Sequence, residues 1–322
     1  MPPRRGGLLI HHWDTDGVCS AALLLRHKYQ GYTNWTPTLG AFYLSPDQIK
    51  WIQQFDEIVI ADMALPRENV DELARMCDVT VYDHHHQEPI EGVMHINPVA
   101  HGSEQYEYPS CTWVLKEHLS LPTSLHVVLG LVGDREDKLK ETPAFWELTQ
   151  SFAVENELPP EALHEMVQLI DSCYKIGDRE AVTAAPRLLA EKDDAATILE
   201  HRGWRRNRDV FDEELRKILE TPPLERGSLL YLELDTKLSV ISTVTRKIAW
   251  GTGRDTVVVN RGFFDEDDQL YCRSGSRDMQ PMIDRARSLG YYAGGKRDVL
   301  GAILPKGETD SFVDELMVFL KK

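Results

Sequence analysis

Short apolar segments and longer helix-like segments alternate along the first 135 residues of the chain. Five short apolar runs are candidate strands, at residues 8–10, 40–44, 57–61, 79–82 and 93–96. Helix-like stretches lie between them, for example at residues 18–29, 46–54 and 66–76. This alternation predicts an α/β fold with a doubly wound, mostly parallel sheet.

A second α/β pattern follows a long helical region. The helical region runs from about residue 143 to 220, and Pro222 and Pro223 interrupt it. Its clearest helices are predicted at residues 159–170 and 209–219. Strands at 229–234, 256–260 and 269–272, helices at 239–250 and 279–289, and a glycine turn at Gly294 complete the pattern. We therefore expect one domain over residues 1–142, a helical connector over 143–225 and a smaller α/β domain over 226–322.

Ionisable side chains follow several of these apolar segments. The strand at 79–82 runs into Asp83, His84, His85 and His86, and the strand at 8–10 is followed by His12, Asp14 and Asp16. Asp62 follows the strand at 57–61, and Asp134 follows an apolar helical stretch at 125–132. Because open α/β sheets bind ligands beyond the carboxyl ends of their strands, we expect these side chains to share one site.

A metal site is the simplest explanation of so many acids and imidazoles. Carboxylates gathered in one pocket repel each other unless a cation neutralises them, and two divalent ions would balance the four aspartates. A mixture of oxygen and imidazole ligands suits Mn²⁺, with Mg²⁺ as the alternative. No cysteine belongs to this set of residues, so a closed structural zinc site is a poor fit. Any one of these residues alone could be a cap or a turn residue, but no packing or capping role requires the whole set.

These residues carry a resemblance to a known family. His12-x-Asp14-x-Asp16-Gly17, Asp62, Asp83-His84-His85 and Gly133-Asp134 resemble the four motifs of the DHH phosphoesterase superfamily, in the expected order. In the last hundred residues, Arg273-Ser274 with Arg277 resembles the Arg-Ser element of the associated DHHA1 substrate domain. Gly294-Gly295 followed by Gly301 resembles its Gly-Gly-His…Gly element, although Lys296 and Arg297 stand where His is usual.

The resemblance implies a role for each residue. His12, Asp14 and Asp62 would hold one metal ion, and Asp16, Asp62, His84 and Asp134 would hold a second, with Asp62 shared. His85 would bind the phosphoryl group under attack and is expected to be catalytic together with Asp83, whereas no family role falls on His86. The residues expected to bind substrate are Arg273, Ser274, Arg277, Gly294, Gly295, Lys296 and Arg297. The active site is expected in the cleft between the two α/β domains.

The two arginines and one basic cluster also have plainer explanations. Arg273 and Arg277 suit bidentate binding of phosphate, which is the interpretation we favour, and the alternative is that they are ordinary surface charges. The basic and aromatic cluster at residues 201–208 could neutralise and stack on a single strand, or it could be a solvated helix start with a buried Trp204.

Charge and composition limit the partners. The net charge is −16, which opposes a general nucleic-acid surface, but residues 226–322 are nearly balanced, with 15 Lys and Arg side chains against 14 Asp and Glu. A polyanion would therefore have to be bound locally. No apolar run approaches membrane-spanning length, and the five cysteines show no C-x-x-C pair, so we expect a cytoplasmic protein without a membrane partner.

Within the superfamily, the resemblance is strongest to compact RecJ-like enzymes with a DHHA1 domain. The interpretation we favour is an Mn-dependent 3′–5′ exonuclease that degrades single-stranded DNA or RNA to mononucleotides by a two-metal mechanism, with a replication or repair helicase or replisome factor as a candidate partner. The alternatives are a small-nucleotide phosphatase or phosphodiesterase, of the oligoribonuclease, 3′-phosphoadenosine 5′-phosphate or cyclic-dinucleotide type, and an inactive replication scaffold. The sequence does not decide between DNA and RNA as the substrate. It also leaves open the cleavage polarity, the substrate length, the oligomeric state, the protein partner and the metal used in the cell.

Overall fold

The computed structural model describes residues 5–159 and 161–321. They form two compact units. The first unit contains residues 5–174 and 178–208, and the second contains residues 175–177 and 209–321. None of the helices in the described part of the chain is both long and apolar enough to cross a membrane. The predicted functional division at residues 142 and 225 stays a prediction.

The first unit is built on a sheet of parallel strands. In chain order the strands are β1 (Arg5–His11), β2 (Thr33–Trp35), β3 (Phe55–Ala61), β4 (Asp78–Tyr82) and β5 (Met94–Ile96). Their spatial order is β2-β1-β3-β4-β5, and every pair is parallel. The predicted doubly wound α/β fold is therefore confirmed. His11 pairs with Ala61, and Ala61 pairs with Tyr82, so the three central strands end at the same level.

One predicted strand is wrong. Residues 40–44 form turns and bends, and the edge strand is instead Thr33–Trp35, which pairs with β1 from Leu8 to Ile10. A three-residue edge strand with a threonine and an asparagine carries almost no hydrophobic signal. The apolar run at 40–44 has a different cause, because Ala41 and Leu44 are buried as loop residues.

The helices of the first unit cover the sheet and extend beyond it. They are α1 (Thr15–His27), α2 (Pro46–Ile52), α3 (Arg67–Ala74), α4 (Cys111–His118), α5 (Leu125–Arg135), a 3₁₀ helix (Glu136–Glu141), α6 (Pro143–Glu155), α7 (Ala162–Lys175), α8 (Arg179–Glu191), α9 (Ala195–Leu199) and the start of α10 (Arg202–Glu220). Residues 15–25 of α1 are all buried, which places this helix in the interior of the unit. Its Leu23 and Leu24 pack in one cluster with Leu9, Val59 and Val127.

The second unit has a mixed sheet. Its strands are β6 (Leu224–Arg226), β7 (Leu229–Leu234), β8 (Thr256–Asn260), β9 (Asp267–Arg273), β10 (Tyr292–Lys296) and β11 (Val299–Pro305), in the order β10-β11-β9-β8-β7-β6. Only β7 and β8 are parallel among these pairs. The helices are α11 (Ile241–Thr252), α12 (Gln280–Ser288) and α13 (Thr309–Lys321). The expected turn at Gly294 is wrong, because Gly294 lies within β10 opposite Gly301.

Gly130 of α5 allows a close approach of three helices in the first unit. A Cβ atom built at this position would collide with the Thr112 hydroxyl of α4 and with the Asp16 carboxylate of α1. Three helices therefore meet where only a glycine fits, and Asp16 is one of the groups they enclose.

We expect Gly130→Ala to destabilise the protein by about 1–3 kcal/mol, because the added methyl group overpacks this contact. Chemical unfolding of both proteins measures the difference. The matched control is Gly251→Ala in α11, where nothing lies within 4 Å of the added atom, so helix propensity should make it neutral or stabilising. Equal stability of the two variants would contradict the packing argument.

Candidate metal centre

The junction of β1 and α1 places the first group of ligands. Asp14 is the N-cap of α1, and its Oδ1 accepts a hydrogen bond from the Gly17 backbone N–H at 3.1 Å. The other oxygen, Oδ2, lies 2.9 Å from His12 Nδ1. Gly17 is required here, because a Cβ atom would lie 2.6 Å from the His12 carbonyl oxygen. The tight turn therefore holds an imidazole and a carboxylate side by side.

Asp62 lies at the centre of the site. It follows β3 with a positive φ of 57°, a left-handed conformation that non-glycine residues rarely adopt, and it is only 2% exposed. Its Oδ2 is 3.8 Å from His12 Nδ1, and its Oδ1 is 3.4 Å from His84 Nε2. The two oxygens of one carboxylate thus face two different imidazoles. Backbone strain of this kind persists where the surroundings fix it, and it is frequent at functional sites.

The end of β4 supplies the second imidazole. His84 is 1% exposed, and its Nε2 lies 3.7 Å from oxygens of both Asp16 and Asp134. Among the described residues, neither ring nitrogen of His84 has a hydrogen-bond partner, and the same is true of Asp62 Oδ1. Buried polar atoms normally have partners, so these atoms point to a ligand between them.

Asp16 is fixed by a helix terminus. Its two oxygens accept hydrogen bonds from the backbone N–H groups of Cys111, at 2.6 Å, and Thr112, at 3.0 Å, in the first turn of α4. Burial raises the pKa of Asp16 to about 6, although the attraction of His84 lowers it. The carboxylates of Asp134 and Asp14 also raise this pKa. The carboxylate is therefore held in one position, but its ionised form is unfavourable there.

The other aspartates show how crowded the charges are. Burial raises the pKa of Asp62 well above its usual range, and the carboxylates of Asp16 and Asp14 add to the shift. Burial also opposes ionisation of Asp14, but the adjacent His12 ring holds the pKa of Asp14 below its usual range. Carboxylates that repel each other, with imidazole nitrogens beside them, fit a divalent cation.

His85 has a different environment from His84. Its Nδ1 lies 2.7 Å from Asp83 Oδ1, and the buried Asp83 also accepts hydrogen bonds from the His84 backbone and from the Gln87 side chain. Burial lowers the pKa of His85, but the Asp83 charge outweighs it and raises this pKa to about 9. The Asp83 carboxylate thus favours the protonated form of His85. The side chain is 43% exposed, so it remains accessible to a ligand.

The structure brings together all the predicted metal ligands. One set contains His12, Asp14 and Asp62, and another contains Asp62, His84 and His85, with the donor atoms of each set within 4.8 Å of one another. Asp16 and Asp134 lie against His84. Asp62 belongs to both sets, which agrees with the shared position expected for it. That each residue binds a metal ion stays a prediction. His86 is exposed.

Sequence reasoning missed Asp171 in α7. Its Oδ1 accepts hydrogen bonds from both the backbone N–H of Thr15, at 3.0 Å, and the Thr15 hydroxyl, at 2.7 Å. Thr15 stands between Asp14 and Asp16, so Asp171 fixes the segment that carries both. No local pattern marks this residue, because the contact spans 156 positions of sequence.

The predicted substrate residues lie in the second unit. Arg273 ends β9, and its Nη1 is 3.1 Å from Asp298 Oδ2. The Ser274 hydroxyl donates to Asp255 at 2.8 Å and accepts the Arg277 backbone N–H at 3.0 Å, so Ser274 organises the turn that follows the strand. Gly294, Gly295 and Lys296 belong to β10, and the carbonyl of Arg297 accepts the Met279 N–H. Their binding of substrate stays a prediction.

The structure favours the plainer explanation of the cluster at residues 201–208, that of a solvated helix start with a buried tryptophan. Trp204 is 2% exposed and stacks on His201 with ring centroids 4.2 Å apart. Arg205 and Arg208 extend toward Glu165 of α7. The segment is the first part of α10, with a buried tryptophan, and its indole is not available for stacking on a strand.

Comparison with solved structures identifies the fold. No family model and no curated protein matches the chain. The manganese-bound exonuclease RecJ is 19% identical with a TM-score of 0.66, and the match covers 98% of this chain and 90% of that one. RecJ from Thermus thermophilus in complex with Mn²⁺ is 18% identical with a TM-score of 0.68, over 98% of this chain and 52% of that one, so the chain spans about half its length. A pGpG-specific phosphodiesterase, PggH from Vibrio cholerae, is 13% identical with a TM-score of 0.50, over 98% and 99% of the two chains.

These matches confirm the predicted fold. The chain has a RecJ-like fold.

We expect Mn²⁺ to raise the melting temperature by several degrees at pH 7.5 and much less at pH 5.5. The pKa of Asp16 in the folded protein, about 6, lies above its ordinary value of 3.8, so ionisation costs the metal-free fold stability at neutral pH. This cost disappears as the pH falls through 6 and the carboxyl group binds a proton, which also competes with the metal. Thermal melts with Mn²⁺ and with EDTA at both pH values measure the shift in melting temperature, and equal shifts at the two pH values would contradict the prediction.

We expect Asp171→Ala to weaken Mn²⁺ binding by about 10–100-fold, because partners that orient the ligand segment typically contribute that much. Isothermal titration calorimetry measures the affinity. Asp171→Asn, which keeps an acceptor oxygen, should lose less, and Glu165→Ala on the same helix is the matched control with an unchanged affinity. Unaltered binding in the alanine variant would remove Asp171 from the site.

Proposed function

We propose that this chain, which has the fold of RecJ-type DHH phosphoesterases, is a divalent-metal-dependent phosphodiesterase, and that it acts as a 3′–5′ exonuclease on single-stranded DNA or RNA. The observation that carries the proposal is the position of Asp62, whose two oxygens face His12 and His84 separately. A shared carboxylate between two sets of ligands is what a two-metal hydrolase requires. The solved structure of the exonuclease RecJ, which is bound to manganese, supports the choice of an exonuclease activity and of this ion.

In this proposal the side chains divide into two ligand sets. His12, Asp14 and Asp62 hold one ion, and Asp16, Asp62, His84 and Asp134 hold the other. When bound, two divalent ions supply an activated water for in-line attack and neutralise charge that develops at phosphorus. The chain itself fixes the ligands before substrate arrives, through the α4 N–H groups at Asp16 and the Asp171 contact at Thr15. Mn²⁺ is the proposed ion, with Mg²⁺ as the alternative.

His85 has the properties of a phosphate-binding group. Asp83 accepts from Nδ1 and keeps the ring protonated, which leaves the Nε2–H available to donate to a phosphoryl oxygen. The Asn97 side chain also donates to the His85 carbonyl at 2.9 Å, so the backbone is fixed as well as the ring. The imidazolium would stabilise negative charge on the group under attack, and Asp83 is its positioning residue.

A small-nucleotide phosphodiesterase is the second candidate. The PggH neighbour, described as specific for pGpG, covers 98% of this chain, and the net charge of −16 disfavours long polyanions. An inactive scaffold is the least supported, because a protein without metal has no use for buried carboxylates that repel each other. A replication or repair partner stays a prediction.

We expect Mn²⁺-dependent shortening of a 5′-labelled single strand of about twenty nucleotides. A ladder of labelled products with released mononucleotides would establish 3′–5′ polarity, whereas immediate release of the labelled mononucleotide would indicate the opposite polarity. Parallel reactions with a DNA strand, an RNA strand and a dinucleotide separate the two candidate functions. Turnover of the dinucleotide alone would assign the small-nucleotide activity.

We expect Asp62→Asn to lose at least about a hundredfold in rate, because it removes the charge shared by both ligand sets. The matched control is Asp78→Asn, at the opposite end of the neighbouring strand β4, which should keep the parent rate. Retention of activity by Asp62→Asn would refute the two-metal assignment.

A further inference from the structure

Trp250 of α11 is exposed to solvent in a way that the other tryptophans are not. It is 66% exposed, whereas Trp13 and Trp204 are 5% and 2% exposed. The remaining four, all of them within the described residues, are partly buried. An isolated exposed aromatic side chain needs no explanation, so the surroundings of this one decide its meaning.

Two arginines lie against the Trp250 ring. The guanidinium carbon of Arg273 is 5.3 Å from the ring centroid, and that of Arg246 is 5.5 Å from it. Arg246 is one turn earlier in α11, and Arg273 is the last residue of β9. Both distances are within the range of cation–π interactions, so the indole and the two positive charges form one surface feature. We call Arg246, Trp250 and Arg273 the Trp250 cluster.

Arg273 is held in place but keeps an unused donor. Its Nη1 pairs with Asp298, its side chain is only 20% exposed, and its Nε is buried without a hydrogen-bond partner among the described residues. Because the Asp298 pair and the indole contact fix the guanidinium group, its outer N–H groups can donate to a phosphate at little cost in side-chain entropy. Nε is itself buried, so it is not one of the groups that would reach a ligand.

We propose that the Trp250 cluster binds one nucleotide unit of the substrate, with a nucleobase stacked on the indole and the adjoining phosphate held by Arg246 and Arg273. Every base presents a π-face, so such a contact tolerates any sequence. The cluster also explains how a chain of net charge −16 could hold a polyanion, since the positive charge is local. This inference rests on the proposed function, because it assigns the substrate a base-binding residue that the motifs do not contain.

Binding of hydrolysis-resistant strands tests the stacking step. The full chain with Mn²⁺ is titrated into labelled phosphorothioate single strands of ten nucleotides, either with bases or with abasic sites throughout, and fluorescence anisotropy gives the affinity. We expect Trp250→Ala to weaken binding of the strand with bases roughly tenfold and to leave the abasic strand nearly unchanged. Trp250→Phe should keep most of the affinity, which excludes a folding defect at this position.

Two further variants separate the charge from the ring. Arg246→Gln should weaken both strands alike and reduce the slope of log affinity against log salt by about one. Leu289→Ala, an exposed apolar side chain elsewhere in the second unit, is the matched control and should bind both strands as the parent does. An equal effect of Trp250→Ala on both strands, or no effect on either, would overturn the proposal.

Hydrolysis of an abasic phosphodiester strand with Mn²⁺ distinguishes the two proposals, because this substrate has scissile phosphodiester bonds but no aromatic ring. Leu289→Ala, which lies outside the Trp250 cluster, should hydrolyse it at the parent rate. A parent that does not hydrolyse it or any nucleotide, yet binds the strand with bases better than the abasic one through Trp250, would refute the proposed function and leave the base-binding inference standing. Normal hydrolysis without a base-dependent effect of Trp250→Ala would refute the inference alone.

Discussion

The mutual repulsion of buried carboxylates at one edge of the parallel sheet is the constraint on which the rest of the first unit depends. Asp62 is buried in a left-handed conformation between two imidazoles, and burial together with Asp16 and Asp14 makes its ionised form unfavourable. A fold that kept this arrangement without a cation would lose stability. The same unfavourable energy becomes binding energy when a divalent ion occupies the site.

Much of the surrounding structure serves to fix these charges rather than to disperse them. Asp16 accepts two N–H groups at the start of α4, and Gly130 lets α5 pass close enough to enclose it. Asp171 reaches back from α7 to Thr15 and orders the turn between Asp14 and Asp16. Ligands held in this way lose little entropy when they bind an ion, which favours a defined geometry over adaptability.

The two histidines of the β4 end show how neighbouring residues acquire different chemistry. His84 is buried among carboxylates and has no hydrogen-bond partner among the described residues, so its nitrogen suits a metal. His85 is paired with a buried aspartate and stays protonated, so it suits a phosphate. In the second unit, Arg273, fixed by Asp298, and Arg246 lie beside an exposed indole and form the surface that we propose for a nucleotide. These groups are the basis of the substrate class that we propose, a phosphodiester with a base.

The sequence alone determined the buried apolar strands of the first sheet and the strand at 256–260, because an apolar run is a local signal. It also determined the acids and imidazoles that follow strand ends, because these residues can be recognised from the chain segment that contains them. It could not locate β2, a three-residue edge strand with two polar residues, nor β10, whose glycines resemble a turn. Asp171, the pairing of Asp83 with His85 and the exposure of Trp250 came only from the tertiary structure. Each of these depends on which distant segments pack together, and spacing along the chain carries no record of that.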